Sequence, residues 1–206
     1  MFPKNKRMLK SLIVFVLAIT SLSKGFGQDL GNEPSAKLTR DQIASFREQA
    51  VKSIFDLNKY IVVIADKANS MVKRDQATGL ALDLFQSDTV SIEISSIKTG
   101  KKHIDLIKSY LRLLKFLPYS SIKISWYKVY LAPSFTLGPD GNYYGSATFL
   151  QKFEGKSNTE AGAYKDITKR HIILILKKID AYQGAEKINK YVLKLGDISV
   201  EETSNG

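Results

Sequence analysis

Aromatic and polar side chains recur at alternate positions in two predicted strands, and this spacing could form one wall of a pocket. Trp126 and Tyr130 share one parity along the first strand, and Tyr143 and Gln151 share one parity along the second. Side chains at alternate positions point to the same face of a sheet, and aromatic walls with a few polar groups are typical of small-molecule sites. Core packing beneath helices explains the same pattern, so both interpretations stay open.

The remaining residue types that carry chemistry form no recognisable catalytic or metal-binding motif. His171 precedes an apolar run at residues 172–176, and it could either lie at one end of the pocket or be held by a neighbouring residue. His103 is far from it in sequence, and the chain has no cysteine. Neither a GxSxG nucleophile motif nor a glycine-rich phosphate loop occurs. We therefore expect a ligand-binding set of Trp126, Tyr130, Tyr143, Gln151 and His171, with no catalytic residue, metal or cofactor.

Residues 1–27 have the layout of a secretory signal peptide. Four basic residues between positions 4 and 10 precede an unbroken apolar stretch at residues 12–19, and small residues then lead to Gln28. The apolar stretch is shorter than the roughly 20 residues that span a bilayer. We therefore predict cleavage near Gln28, in preference to a retained membrane anchor, and export to the periplasm or the exterior of a bacterial cell without stable membrane insertion.

The net charge looks different once the predicted signal peptide is set aside. The whole chain has 31 Lys and Arg against 20 Asp and Glu, a net charge of +11. Five of the basic residues and none of the acidic ones lie in residues 1–27, which leaves 26 against 20, or +6. The remaining basic residues are scattered among acidic ones, as on an ordinary solvated surface. This pattern and the predicted export argue against nucleic acid as a partner.

The sequence predicts a linker at residues 28–38, one domain at 39–200 and a frayed tail at 201–206. Thr39 and Gln42 have the spacing of a capping box, and apolar residues at helical spacing follow to about residue 68. A second helix is predicted at 71–85. A third is predicted to contain Ile104 and the apolar residues at 107, 111 and 114, and to end before Pro118.

Alternating apolar residues predict strands around the helices. One is expected at residues 90–94, and a long strand near Ile122 should pair as an antiparallel hairpin with residues 143–153. Residues 172–176 are apolar on both faces, which favours a central strand. The last strand, at 190–200, is interrupted by Gly196 and Asp197.

The order helix, helix, strand, helix and four antiparallel strands over residues 39–200 resembles the nuclear-transport-factor-2-like fold, which is shared with ketosteroid isomerase. The segments at residues 143–153 and 164–169 are also similar to exported bacterial proteins of this type. The resemblance implies an α+β domain in which three N-terminal helices pack in the concave face of a bent, mainly antiparallel sheet around a conical pocket. In the isomerase branch a carboxylate acts as general base beside an oxyanion hole, and Tyr60 and Asp66 are the nearest candidates by element.

Three functions are compatible with these observations. The first is an exported noncatalytic domain that binds a small apolar or amphipathic ligand, or a protein partner. The second is a cofactor-free isomerase, dehydratase or hydrolase with a conical pocket, and the third is a structural domain that forms a homodimer. A buried carboxylate with a raised pKa beside Trp126 or Tyr143 would favour the enzyme. A pocket lined only by aromatic residues would favour binding, and a filled cone would favour the structural role.

Overall fold

A computed structural model of the chain describes residues 37–157, 163–184 and 186–206. The predicted signal peptide and residues 28–36 of the predicted linker lie outside these ranges. The helices are α1 (Arg40–Ala65), α2 (Met71–Asp83) and α3 (Ile107–Leu114). The strands are β1 (Ser91–Ser96), β2 (Lys101–Leu106), β3 (Ser121–Leu131), β4 (Thr136–Leu137), β5 (Tyr143–Lys156), β6 (Tyr164–Gln183) and β7 (Glu186–Asn205). The described part of the chain is thus an α+β protein with three helices and a seven-stranded mixed sheet.

Helix α1 begins at the predicted capping box. The backbone N–H of Gln42 donates to the Thr39 hydroxyl at 3.2 Å, and the backbone N–H of Thr39 donates to the Gln42 amide oxygen at 2.8 Å. These bonds satisfy two donors that a helix start leaves open. The helix ends earlier than predicted because Asp66 adopts an extended backbone, and its carboxylate accepts from the backbone N–H of Ala68.

The segment before α3 differs from the predicted helix. Residues 101–106 form β2, which pairs antiparallel with β1, and Ile104 is 74% exposed on this strand. Gly100 has a φ of 63° in the connecting turn, and its N–H donates to the carbonyl of Ser96. Glycine adopts this left-handed conformation without strain. The predicted inclusion of Ile104 in the third helix is therefore wrong, because the tight turn returns the chain as a hairpin.

The strands lie in the order β2-β1-β7-β6-β5-β3. Strand β4 pairs with Tyr143 and Tyr144 at the start of β5, and the pairing of β5 with β3 begins at Ala147. The β1–β7 pair is parallel and the other pairs are antiparallel. Strand β6 lies between β5 and β7, so the predicted central position of residues 172–176 is confirmed. The β5–β6 pairing runs without a register shift from Tyr143 opposite Leu176 to Gly155 opposite Tyr164. Strand parity is therefore continuous along both strands.

Strand β7 departs from the predicted frayed tail. Its pairing with β6 continues to Asn205, which lies opposite Asp166, so residues 201–205 are part of the sheet. A register shift falls near the predicted interruption, where Ile172 pairs with Ile198 but Leu174 pairs with Leu195. The bulge exposes Asp197, whose carboxylate accepts from the backbone N–H of Ser91 at 2.8 Å. The one extra residue on β7 thus lies beside Asp197, which anchors β1.

One hydrophobic core contains residues of all three helices and of β1, β3, β5, β6 and β7. In β5 the core residues are Ala147 and Phe149, and in β6 they are Ile172 and Leu174. We call the face of the sheet that carries these four side chains the core face. Helix α1 contributes a stripe at three- and four-residue spacing, which consists of Ala50, Ile54, Leu57, Ile61 and Ile64. The helical periodicity in the sequence therefore predicted the buried side of α1 correctly.

Candidate functional site

The core face of β6 changes from apolar to polar along the strand. Its apolar half consists of Ile172, Leu174 and Leu176, and its polar half consists of Asp166, Thr168 and Arg170. All six side chains are buried, with exposures of 5% or less. Since β6 keeps one parity through both halves, the polar residues extend the same face as the core residues. Charged and hydroxyl groups thus continue a row that begins as hydrophobic core.

A cavity of about 330 Å³ lies over this polar half. Its volume is within the range of small-molecule sites. Lys98, His103 and Leu113 are its exposed lining residues. The other lining residues are Ile94, Ser95, Ser96, Tyr110, Leu114, Leu117, Tyr119, Gln151, Phe153, Tyr164, Asp166, Thr168 and Arg170. The cavity therefore combines aliphatic and aromatic walls with buried polar groups.

Three aromatic rings form one wall of the cavity. Phe153 makes edge-to-face contacts with Tyr119 and Tyr164, with ring centroids 5.6 and 5.8 Å apart. Gly155 makes this arrangement possible, because a Cβ atom at that position would lie 2.7 Å from the Tyr119 ring. The close approach of ring and backbone requires a residue without a side chain.

Asp166 and Tyr164 form a hydrogen-bonded pair beside this wall. The Tyr164 hydroxyl donates to Oδ2 of Asp166 at 2.6 Å and accepts from the backbone N–H of Ile97 at 3.2 Å. Burial raises the pKa of Asp166, although the Tyr164 hydrogen bond and the Arg170 charge oppose that change. Burial and the bond to Asp166 also raise the pKa of Tyr164. Oδ1 of Asp166 is buried without a partner among the described residues.

Arg170 places a guanidinium group at the same end of the cavity. One terminal nitrogen donates to the backbone carbonyl of Glu93 at 2.9 Å, but Nε has no partner among the described residues. Burial lowers the pKa of Arg170, and Tyr110, Asp166 and Glu93 lie near enough to oppose that change. An arginine remains charged at physiological pH even so. The cavity is therefore lined by a buried cation.

Gln151 is oriented by the single tryptophan of the chain. The indole Nε1 of Trp126 donates to Oε1 of Gln151 at 3.1 Å, and the Trp126 ring stacks on Phe149 with centroids 4.3 Å apart. An indole N–H can only donate, so the amide oxygen must face it, and the amide nitrogen with its two donors must face elsewhere. Gln151 lines the cavity. Trp126 therefore fixes the orientation of the Gln151 amide in the cavity wall.

The five predicted site residues do not line one pocket together. Gln151 lines the cavity and Trp126 lies behind it. Tyr143 is buried against Tyr191, with ring centroids 5.3 Å apart, and is not among the lining residues. His171 falls on the opposite face of β6 and lines a separate depression of about 440 Å³. The structure therefore does not bring these five residues together at one pocket, and a role in ligand binding stays a prediction for each of them.

Tyr130 lies outside the cavity because β3 contains a bulge. Lys128 has a φ of 52°, and the register with β5 shifts between Tyr127, which is opposite Leu150, and Tyr130, which is opposite Thr148. The extra residue reverses the parity of the strand, so Tyr130 is 66% exposed whereas Trp126 is 5% exposed. Equal parity in the sequence therefore does not mean a shared face here.

The sequence contains a signal for the polar half of β6. Asp166, Thr168 and Arg170 are in phase with Ile172, so extension of the apolar strand toward its start would have placed them on the core face. Tyr60 and Asp66, the candidates implied by the resemblance, do not line the cavity. Asp66 is exposed at the end of α1.

The described residues lack two further features. They contain no group of three or more His, Asp or Glu side chains arranged to hold a metal ion. No helix within the same ranges has both the length and the apolar character needed to cross a bilayer.

The chain was compared with protein-family models, with curated proteins and with solved structures, and none of the three comparisons finds a match.

Proposed function

We propose that this protein binds a small amphipathic organic molecule in the cavity over the polar half of β6. The observation that carries the proposal is an apolar-walled cavity that is lined at one end by the buried polar side chains of Gln151, Thr168 and Arg170. A ligand whose polar end meets these side chains gains hydrogen bonds there, while its apolar part covers the aliphatic and aromatic walls.

The fold context that we propose is the cone fold of the nuclear-transport-factor-2-like family. Support comes from the element order, in which two helices, a hairpin and a third helix precede the long antiparallel strands. Further support comes from the shared core of all three helices and the sheet, which is compatible with helices packed in the concave face of a bent sheet. Export through the predicted signal peptide is part of the same proposal and would place the binding site outside the cytoplasm.

The test is native mass spectrometry of the protein purified from its producing cells, followed by identification of any released small molecule. The variant Leu117→Trp adds a large side chain at a half-buried lining position and should abolish or strongly reduce the bound fraction. Leu137→Trp is the matched control, because Leu137 is 42% exposed on β4 and does not line the cavity. Equal ligand occupancy in both variants would contradict a site in this cavity.

A second candidate function is cofactor-free proton transfer, as in an isomerase or dehydratase. The observation that favours it is the pair of Asp166, whose pKa is raised by burial, and Tyr164, which donates to its carboxylate. A general acid or base is most efficient when its pKa lies near the working pH. This function predicts that the protein promotes exchange of solvent deuterium into acidic C–H positions of a bound carbonyl compound, as measured by NMR. Asp166→Asn should abolish that exchange while the compound still binds.

A further inference from the structure

The polar end of the cavity is lined by two side chains that offer N–H donors, Gln151 and Arg170. The Gln151 amide nitrogen must face away from Trp126, whose N–H occupies the amide oxygen. Arg170 adds a guanidinium, of which one terminal nitrogen donates to the backbone carbonyl of Glu93. The hydroxyls of the lining residues Thr168 and Tyr110 can each donate or accept. A ligand group that accepts several hydrogen bonds fits this arrangement better than one that donates them.

The charges around the cavity favour an anion over a cation. Arg170 is enclosed at 3% exposure, and Lys98 lies at the exposed rim. The backbone carbonyl of Glu93 accepts from Arg170. The side-chain carboxylate of Glu93 already has two other partners: Oε1 lies 3.6 Å from Nζ of Lys102, and Oε2 accepts from the backbone N–H of Val200. Among the described residues, Asp166 is the one acidic residue that lines the cavity, and burial raises its pKa.

We infer that the ligand is an organic acid whose carboxylate is bound by Arg170 and by the amide nitrogen of Gln151, with its apolar body against the aliphatic and aromatic walls. This inference rests on the proposed ligand-binding function and adds the chemical class of the ligand. A guanidinium and an amide NH₂ offer several donors to the two oxygens of one carboxylate, and hydrogen bonds between charged groups are about twice as strong as neutral ones. Trp126 acts here as a positioning residue, because it holds Gln151 and does not line the cavity.

The experiment compares head groups on a constant apolar body, with the wild-type protein and without any substitution. One series is octanoic acid, octan-1-ol and octylamine, and the second is 3-phenylpropionic acid with its alcohol and amine. Binding is measured by isothermal titration calorimetry below micellar concentrations. Trp126 fluorescence is a second readout, because this single tryptophan contacts Gln151 in the cavity wall. In the series whose apolar body is bound by the cavity, we expect the acid to bind at least tenfold more tightly than the alcohol and the amine.

A pair of variants tests the named contact. Gln151→Glu keeps an oxygen acceptor for Trp126 but replaces the amide donors with a carboxylate, so it should weaken acid binding by a larger factor than alcohol binding. Gln49→Glu adds the same charge at an exposed position of α1 and should leave acid binding unchanged. Circular dichroism verifies that both variants are folded. Equal losses for acid and alcohol in Gln151→Glu would contradict the assigned carboxylate contact.

The outcomes separate this inference from the proposed function. Equal affinities within a series, or a preference for the alcohol or the amine, would overturn the organic-acid inference and leave the binding function standing. If no member of either series binds and native mass spectrometry recovers no small molecule, both the inference and the proposed function are wrong.

Discussion

The two halves of the core face of β6 are equally buried but differ in chemistry. In the apolar half, Ile172 and Leu174 contact other aliphatic residues of the hydrophobic core. In the polar half, Asp166 and Arg170 line a cavity and retain buried atoms without partners among the described residues. Burial alone therefore does not distinguish core from site on this strand. The difference lies in whether the side chains of neighbouring elements fill the space above the strand.

The largest expected loss of stability from a single substitution is at Trp126, which contacts both the hydrophobic core and the cavity wall. Its ring stacks on the core residue Phe149, and its N–H holds the cavity residue Gln151. Trp126→Ala should lower the free energy of unfolding by about 3–5 kcal/mol, because it removes a large buried ring. Tyr130→Ala, on the exposed side of the β3 bulge, should change it by about 0.5 kcal/mol or less. Urea denaturation of both variants provides the measurement, and similar losses would show that the bulge is misplaced.

A pair of substitutions contrasts the two halves of β6 directly. Leu174→Ala opens a new hole in a filled core, so it should cost about 2–5 kcal/mol of unfolding free energy. Thr168→Val removes only a hydroxyl beside an existing cavity, and its contact with the Thr203 hydroxyl is long at 3.5 Å. Its cost should therefore be at most about 1.5 kcal/mol. Thermal and urea denaturation would contradict the comparison if the Thr168 variant lost as much stability as the Leu174 variant.

The aromatic wall of the cavity depends on a glycine. Gly155→Ala places a Cβ atom 2.7 Å from the Tyr119 ring, so the ring must move. Such overpacking should cost about 1–3 kcal/mol and should also change ligand affinity, because Tyr119 lines the cavity. Gly79→Ala is the control, since nothing lies within 4 Å of a Cβ atom at that position in α2. A Gly155 variant with wild-type stability and affinity would show that Tyr119 does not pack here.

The smallest expected effect is a change in the pH dependence of stability at Asp166. Its pKa is raised in the folded protein, so between the unfolded and folded pKa values the folded state binds more protons than the unfolded state. The contribution of Asp166 to stability is therefore greatest below the unfolded pKa and falls as pH rises through that window. The free energy of unfolding of the wild type minus that of Asp166→Asn should decrease over the same range.

Asp140→Asn gives a control of opposite sign. The Tyr144 hydrogen bond lowers the pKa of the Asp140 carboxyl, so its contribution is present above the unfolded pKa and is lost as pH falls through the folded pKa. For this residue the difference between wild type and variant should rise with pH. Urea denaturation at a series of pH values measures both. A difference for Asp166 that is constant or rises with pH would show that burial does not raise its pKa.

The parts of the fold that could be predicted from the sequence are those in which periodicity and burial agree. The Thr39–Gln42 capping box and the apolar stripe of α1 are local patterns, and both are confirmed. The β3–β5 hairpin and the central position of residues 172–176 are confirmed as well. In these elements the buried face is apolar, so the period of hydrophobicity identifies it.

The polar half of β6 and the position of Tyr130 could not be predicted in the same way. A strand that faces a cavity can bury polar residues, so the alternation of apolar residues stops before Asp166 and Arg170, and only their phase with Ile172 indicates that they are buried. The bulge at Lys128 occurs at a residue that rarely adopts a positive φ, and no glycine or asparagine marks it. A single additional residue then exchanges the two faces of β3 and moves Tyr130 away from the predicted pocket.

The central claim is that the cavity over the polar half of β6 is a ligand site, and a crystal structure of the protein grown with octanoic acid tests it most directly. We expect continuous electron density for the acyl chain between Leu114 and Phe153, with the carboxylate of the acid beside Gln151 and Arg170. A cavity that contains only ordered water, or one closed by side chains while the acid occupies another surface, would contradict the claim.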